Sequence, residues 1–161
     1  MKKPLAALLF VLVPLFAQAA PETSDPGLLS RASPWPVAET LDRLETLLRA
    51  KGVKVFARID HAAEAQGAGL TLRPAQLLIF GNPKAGTPLM QVSPSIGLDL
   101  PMKALAWQDA QGQTHVTWNS PDYLIQRHGI DAAYTKNLAP INGLIEAALK
   151  SSDREGLTNT N

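Results

Sequence analysis

The side chains that could do chemistry in this chain stand near the ends of predicted strands. His61 follows Asp60 at the end of an alternating segment, and the glycine-rich run 81–87 follows the apolar residues 77–80. His128 stands further along, directly before a glycine. Binding and catalytic groups concentrate on such connections, and histidine changes its charge near neutral pH. The candidate site residues are therefore His61, Asn82, Lys84, Thr87 and His128.

Asp60 and His61 are adjacent, as a carboxylate and an imidazole would be in acid–base or metal chemistry. Side chains alternate between the two faces of a strand. The segment 53–61 therefore predicts His61 on the apolar, core-facing side and Asp60 on the opposite side, which argues against a dyad. We expect His61 to be a hydrogen-bonded core or rim residue. The alternative is a pocket in which it meets His128 or another polar group as a neutral base or ligand.

The run 81–87 superficially resembles a phosphate-binding loop. That motif places a lysine directly after its second glycine, whereas here Thr87 follows Gly86 and Lys84 comes earlier. We therefore reject a nucleotide-hydrolysing loop. We expect a loop up to Gly86 and a helix with Thr87 as its N-cap and Pro88 as its first residue. Free N–H groups there would favour a small anion; the alternative is a tight connection whose glycines and prolines serve turn geometry.

Metal and cofactor chemistry find little support in the sequence. There are three histidines and no cysteines, and the histidines are not spaced as the ligands of a zinc site. We predict no metal and no cofactor. His115 is expected to be exposed on the wetter face of a hairpin, and Trp107 and Trp118 to pack as a cross-strand pair. His128 falls in the last turn of a helix, where it can cap carbonyl groups.

The N-terminus has the features of an export signal. Two early lysines precede an apolar run over 5–16, and residues 17–19 (Ala-Gln-Ala) offer a small-residue cleavage site. We predict a signal peptide over 1–19, cleaved near Ala19, and a periplasmic or secreted mature chain. The apolar run is too short to span a bilayer comfortably. We therefore expect no stable membrane insertion after cleavage.

Charge and length narrow the class of protein. The chain has 15 basic and 14 acidic side chains, and loss of the two signal lysines leaves a net charge of −1. Its positive charges are scattered, whereas a nucleic-acid binder shows a basic stripe, so we expect no nucleic-acid partner. Residues 20–34 are predicted as a linker with a first strand, 35–150 as a single domain and 151–161 as a flexible tail.

Hydrophobic periodicity predicts the elements that position the candidate residues. Helices are expected over 36–51, from 87 with a break at 93–94, over 121–128 and over 140–150. Strands are expected over 27–33, 53–61, 77–80, 102–108 and 113–119, with 77–80 covered on both sides. The order β-α-β-β-α-β-β-α-α predicts an α+β domain. Its mainly antiparallel sheet of about four to five strands should carry helices on one face.

Several short motifs, in their order, resemble the family known as Domain of Unknown Function 302 (DUF302). The resemblance covers residues 36–130 and rests on 55–62 (VFARIDHA), 78–83 (LIFGNP), 86–90 (GTPLM), 98–101 (LDLP) and 107–109 (WQD). It implies a compact α+β fold that often forms homo-oligomers. It carries over no catalytic residue.

Three functions remain open. The first is an exported, non-catalytic binding or accessory domain whose site takes a small anion or another small molecule. The second is a small enzyme that uses His61 or His128 in acid–base chemistry, which requires a histidine within hydrogen-bonding reach of a second polar group. The third is a homodimeric interaction module with Trp107 or Trp118 in the contact.

Overall fold

The computed structural model describes residues 27–150, which form a five-stranded sheet with helices packed on it. The strand order is β1-β5-β4-β3-β2, and all neighbours are antiparallel. The strands are β1 Leu28–Ser33, β2 Lys54–Asp60, β3 Ala75–Gly81, β4 Met102–Gln108 and β5 Thr114–Asn119. The helices are α1 Val37–Ala50, α2 His61–Gly67, α3 Pro83–Val92, α4 Pro121–Arg127 and α5 Pro140–Leu149, with 3₁₀ helices at Pro94–Leu98 and Ala132–Asn137.

The α+β class and the antiparallel sheet predicted from the sequence are confirmed. The predicted signal peptide and the predicted C-terminal tail lie outside the described residues. Within residues 27–150, no helix has the length and apolar character needed to cross a membrane.

Helices α1 and α5 pack against each other, and α1 lies on β2, β3 and β4. Leu41, Leu44 and Leu48 of α1 fall at helical spacing and are fully buried. Ile141 and Ile145 of α5 join the same core. A fully buried leucine contributes about 1.5–3 kcal/mol relative to an exposed one. These side chains therefore fix the helices to one face of the sheet.

Strand β2 departs from the predicted alternation because its pairing with β3 contains a β-bulge. The register shifts between Val55 and Ala57. An extra residue moves every later side chain to the other face. Arg58 consequently lies toward α1, where it donates to the Ala38 carbonyl (2.9 Å) and to Asp42. The predicted alternation, which put the odd-numbered positions of 53–61 on the core face, is wrong beyond the bulge.

Helix α3 begins earlier than predicted. It starts at Pro83 with Asn82 as its N-cap, so residues 83–86 are helical and Pro88 lies inside the helix. Asn82 is a strong capping residue, and proline suits the first helical position. The prediction of Thr87 as N-cap is therefore wrong, because the Asn-Pro pair provides the same start signal first. The predicted break at Ser93-Pro94 is confirmed.

Two predictions about the sheet are also wrong. Strand β3 is buried at Leu78 and Phe80 only, and Leu77 and Ile79 lie half-buried on the face away from the helices. Trp118 is buried with its indole N–H donating to Asn142 Oδ1 (2.9 Å), whereas Trp107 is half-buried. Their cross-strand partners are Ala104 and His115, so the two tryptophans do not pair.

His115 is half-buried rather than exposed. Its ring stacks on Trp107 with centroids 4.9 Å apart, and its Nε2 lies 2.8 Å from Asp109 Oδ2. The hydrogen bond from His115 is the largest cause of the lowered pKa of Asp109. Burial opposes it, and the backbone N–H groups of Gln113 and Gln111 lower the pKa further. The hairpin turn thus carries its own small polar network.

Candidate functional site

An apolar pocket lies where the end of β3 and the start of β4 meet α3 and α5. Its volume is about 370 Å³, within the lower part of the range for small-molecule sites. Phe56 lines the wall from β2, and Leu100 and Pro101 line it from the segment before β4. Most of the other lining side chains are apolar too: Val53, Phe80, Pro83, Ala85, Met90, Met102, Leu138, Pro140, Ile141 and Leu144.

Three uncharged polar side chains also line this pocket: Asn82, Thr87 and Asn137. Asn137 Nδ2 donates to the Ala85 carbonyl (3.2 Å), which ties the second 3₁₀ helix to α3. Met90 is 38 % exposed although it lines the pocket. An apolar cavity with a few polar groups is the usual form of a ligand site.

Two glycines keep the pocket open. A Cβ built on Gly86 would lie 3.4 Å from Leu100 Cδ1 and 4.0 Å from Met90 Cε. A Cβ on Gly81 would lie 3.4 Å from Pro101 Cβ. Both distances are ordinary contacts, so a longer side chain at either position would extend into the space that a ligand needs. The glycine-rich run therefore shapes a cavity rather than a phosphate loop.

The start of α3 offers few free N–H groups to an anion. Pro83 has no N–H, and the Lys84 N–H donates to Asn82 Oδ1 (2.9 Å). The N–H groups of Ala85 and Gly86 donate to the Asn82 carbonyl at 2.9 and 3.0 Å. An anion at this terminus would have to compete with these bonds. The geometry of the site thus favours a ligand with an apolar body over a small inorganic anion.

His61 and this pocket lie at opposite ends of β2. Phe56 and Val53 line the pocket near the start of that strand, whereas His61 follows its last residue and opens α2. His61 is exposed, so the prediction of a core-facing His61 is wrong. Asp60 is the N-cap of α2, since its Oδ1 accepts from the Ala63 N–H at 3.0 Å. That bond, followed by others including one from Gln76, lowers the pKa of Asp60 against a smaller effect of burial.

His128 belongs to a separate polar cluster, which we define as Ser93, Ser95, Asp99, Arg127 and His128. The side chains of His128 and Asp99 are only 7 % and 12 % exposed, and Nε2 lies 2.7 Å from Asp99 Oδ2. Nδ1 lies 2.9 Å from Ser95 Oγ. Arg127 Nε stands 3.6 Å from the same Asp99 oxygen, and Ser93 Oγ donates to the His128 carbonyl at 3.1 Å.

The polar cluster ties the end of α4 to the first 3₁₀ helix, and it also has the order of a catalytic relay. A carboxylate accepts from one imidazole nitrogen, and the other nitrogen faces a hydroxyl. Both ring nitrogens are already bonded within the protein, and Ser95 Oγ also lies 3.1 Å from Ser93 Oγ. Every polar side chain of the polar cluster thus has a partner inside it.

The structure therefore separates the five candidate residues. Asn82 and Thr87 line the pocket, Lys84 stands between two lining residues, and His128 and His61 lie elsewhere. The apolar wall could not be predicted from the sequence, because its residues come from separate segments and Phe56 stands at the bulge in β2. Asn137 and Ser95 lie on short 3₁₀ helices that hydrophobic periodicity does not mark.

Within residues 27–150, no group of three or more histidine, cysteine, aspartate or glutamate side chains could hold a metal ion. The ionisable side chains that do meet bond each other instead: Asp99 lies 2.7 Å from His128 Nε2 and 3.6 Å from Arg127 Nε.

Comparison with protein families and solved structures identifies similar proteins. The family model described as "Domain of unknown function DUF302" matches residues 29–148. A crystal structure of an uncharacterized conserved DUF302 protein from Bacillus stearothermophilus has a similar fold, with a TM-score of 0.66. The two chains are 24 % identical over 77 % of this chain and 96 % of the other.

Curated relatives carry a different name. The chain is 49 % identical over 106 residues to "Fluoride-specific ion channel FluC 1" of Brucella suis biovar 1 (strain 1330). It is equally similar to the FluC 1 protein of Brucella abortus biovar 1 (strain 9-941). The match covers 66 % of this chain but only 42 % and 39 % of these relatives. The chain therefore corresponds to about two fifths of each relative.

Proposed function

The chain belongs to the DUF302 family, and on this premise we propose that it is an exported, non-catalytic binding domain. Its ligand is a small molecule with an apolar body, held in the pocket beneath α3. The observation that carries the proposal is the 370 Å³ cavity with a predominantly apolar lining. Burial of apolar ligand surface there would supply the binding free energy, at about 25 cal/mol per Å² before the costs of association.

A neutral probe tests this proposal without involving charge. We expect 1-octanol to bind the mature domain saturably in calorimetry and to raise its melting temperature. Gly86→Val should weaken binding at least about tenfold, because the new side chain occupies the space beside Leu100 and Met90. Gly143→Val is the matched control, since it also places valine in a helix but meets nothing within 4 Å. Equal octanol affinities in both variants would contradict the proposal.

Export rests on the sequence of residues 1–19. A tagged full-length chain should appear in the periplasm or the medium, and its processed form should begin near Ala20. A chain that stays in the cytoplasm with its first residues intact would contradict this part of the proposal.

The curated relatives support an accessory role. In the Brucella proteins, a segment similar to this chain forms part of a longer protein named as a fluoride-specific ion channel. We therefore propose that the chain acts beside a channel in the cell's response to fluoride. Cells that lack the chain should be more sensitive to fluoride than wild-type cells are, and their sensitivity to chloride should be unchanged. Expression of the wild-type protein should restore growth in fluoride. Unchanged fluoride sensitivity would contradict this role.

The polar cluster supports a second candidate function, acid–base catalysis at Ser95. In that scheme His128 Nδ1 accepts the Ser95 proton while Asp99 holds the ring through Nε2. A fluorophosphonate probe should then label wild-type protein but not Ser95→Ala. Absence of labelling in wild-type protein would remove this candidate and leave the cluster with a purely structural role.

The outer sheet face supports the third candidate, a homodimer. Leu77, Ile79, Leu105 and Trp107 are half-buried there and do not belong to the main core cluster of the described residues. Trp118 is excluded from such a contact because it is buried on the helix side. A measured mass of two chains in solution, reduced to one by Leu105→Lys, would support a dimer. A monomer at all concentrations would contradict it.

A further inference from the structure

We propose that the ligand of the pocket is an anionic amphiphile, with its alkyl chain in the pocket and its carboxylate near three lysines. The three, Lys54, Lys84 and Lys136, are all exposed, and each is directly next to a lining residue in sequence. This inference rests on the proposed binding function and adds the charge of the ligand's head group.

The placement of the lysines follows from the lining residues beside them. Lys84 stands between Pro83 and Ala85, and Lys136 directly precedes Asn137. Lys54 Nζ lies 4.7 Å from the centroid of the Phe56 ring, so its ammonium group is held against a lining side chain. Positive side chains on β2, on α3 and on the second 3₁₀ helix therefore each stand next in sequence to a lining residue.

These three charges are not neutralised within the described part of the chain. The ion pairs among residues 27–150 are all made by arginine or histidine. The described lining contains no acidic side chain. Asp99, next to the lining residue Leu100, is committed to His128 and Arg127. The pocket therefore combines an apolar interior with unpaired positive charge, which matches an alkyl carboxylate rather than a neutral or cationic amphiphile.

A small inorganic anion would not explain the same features. It would leave the apolar lining empty, and the first N–H groups of α3 are already bonded within the helix start. The lysine side chains instead suit a head group that remains in water at the rim, because their ammonium groups are exposed. A fatty acid of medium length is the simplest molecule with both parts.

A series with one alkyl chain and three head groups tests the inference. Octanoate should bind the mature domain more tightly than 1-octanol, and octylammonium more weakly. Each of Lys54→Gln, Lys84→Gln and Lys136→Gln should weaken octanoate binding about two- to fivefold and leave octanol binding unchanged. Added salt should weaken octanoate binding in wild-type protein.

Arg73→Gln is the control, because it removes one charge from an exposed position next to Leu72 and Pro74, which do not line the pocket. Equal affinities for octanoate and octanol would overturn the anionic ligand while the binding function stands. Failure of all three amphiphiles to bind would overturn both. Loss of octanoate affinity in Arg73→Gln as large as in the lysine variants would also overturn a specific role of the three lysines.

Discussion

The pocket beneath α3 and the polar cluster around His128 share one segment of the chain. They differ in the surface that they offer to a ligand. Met90 and Leu100 line the pocket, and Ser95 and Asp99 of the polar cluster stand between them in sequence. The pocket exposes apolar surface to an open cavity. The polar cluster has bonded each of its polar side chains. Apolar surface that lines a cavity can gain free energy by contact with a ligand, whereas a hydrogen-bonded network gains little.

This difference favours binding over catalysis as the role of the segment 90–100. The polar cluster anchors the first 3₁₀ helix to α4, and that helix leads directly to Leu100 and Pro101 in the pocket wall. The hydrogen bonds of the polar cluster thus help to hold this part of the pocket wall in place. Substitutions in the polar cluster should therefore change mainly the free energy of unfolding. Substitutions in the pocket lining should change mainly the affinity for the ligand.

The largest expected effect contrasts two neighbours on α3. Leu89 is fully buried, whereas Met90 is 38 % exposed and lines the pocket. Leu89→Ala should lower the free energy of unfolding by about 2–5 kcal/mol, because it leaves a cavity in the core. Met90→Ala should cost less than about 1.5 kcal/mol but weaken octanol binding. Urea unfolding measures the loss of stability, and calorimetry measures octanol binding. Similar losses of stability in the two variants would contradict the expected difference between Leu89 and Met90.

Asp99→Asn should come next, with a loss of about 1–3 kcal/mol in the free energy of unfolding. The amide replaces a carboxylate that accepts from His128 and faces Arg127 inside the protein. Octanol affinity should change little, because Asp99 does not line the pocket. Urea unfolding with parallel octanol titration measures both quantities. A large loss of octanol affinity without loss of stability would show that the polar cluster is part of the ligand site.

A smaller effect on stability is expected from the loss of a single hydrogen bond, either in the pocket wall or outside it. Asn137 donates to the Ala85 carbonyl in the pocket wall, and Asn142 accepts from the Trp118 indole outside it. Asn137→Ala and Asn142→Ala should each lower stability by about 0.5–1.5 kcal/mol. Only Asn137→Ala should also reduce octanol affinity. Equal affinities in the two variants would argue that Asn137 plays no part in the site.

The smallest effect concerns pH and lies outside both regions. The pKa of Asp109 is lowered in the folded protein, chiefly by the hydrogen bond from His115. Such a carboxylate stabilises the fold above its unfolded pKa, and this contribution is lost as the pH falls through its folded pKa. Asp109→Asn should therefore be less stable than wild type near neutral pH, and the gap should narrow below about pH 4.

Urea midpoints of the two proteins across this pH range measure the gap. A gap that widens toward low pH would contradict the assigned direction of the Asp109 shift.

Much of the fold could be predicted from the sequence because local patterns agree with the tertiary structure. The leucines of α1 and the Ser93-Pro94 break each carry a strong local signal. The bulge in β2 could not be predicted, because it depends on the pairing of Val55 and Ala57 with β3. That one shift reversed the expected faces of the later β2 residues, and the start of α2 at His61 left its ring exposed.

The candidate site was predicted only in part. Asn82 stands at a strand-to-helix connection, which is a local feature, and Thr87 lies just over one turn into the helix that follows. Leu100, Asn137 and Leu144 line the same pocket from three separate segments. Their meeting depends on how α5 packs on α1 and on how the second 3₁₀ helix contacts α3. No spacing in the sequence encodes that contact.

The most direct test of a ligand in the pocket uses its methionine methyl groups. The sequence contains three methionines, of which Met1 falls in the predicted signal, while Met90 and Met102 both line the pocket. In mature protein labelled with ¹³C at the methionine methyls, 1-octanol should shift both signals saturably. In Gly86→Val the shifts should require at least about tenfold more octanol, whereas Gly143→Val should titrate like wild type. Signals of Met90 and Met102 that stay fixed throughout the titration would contradict the proposed site.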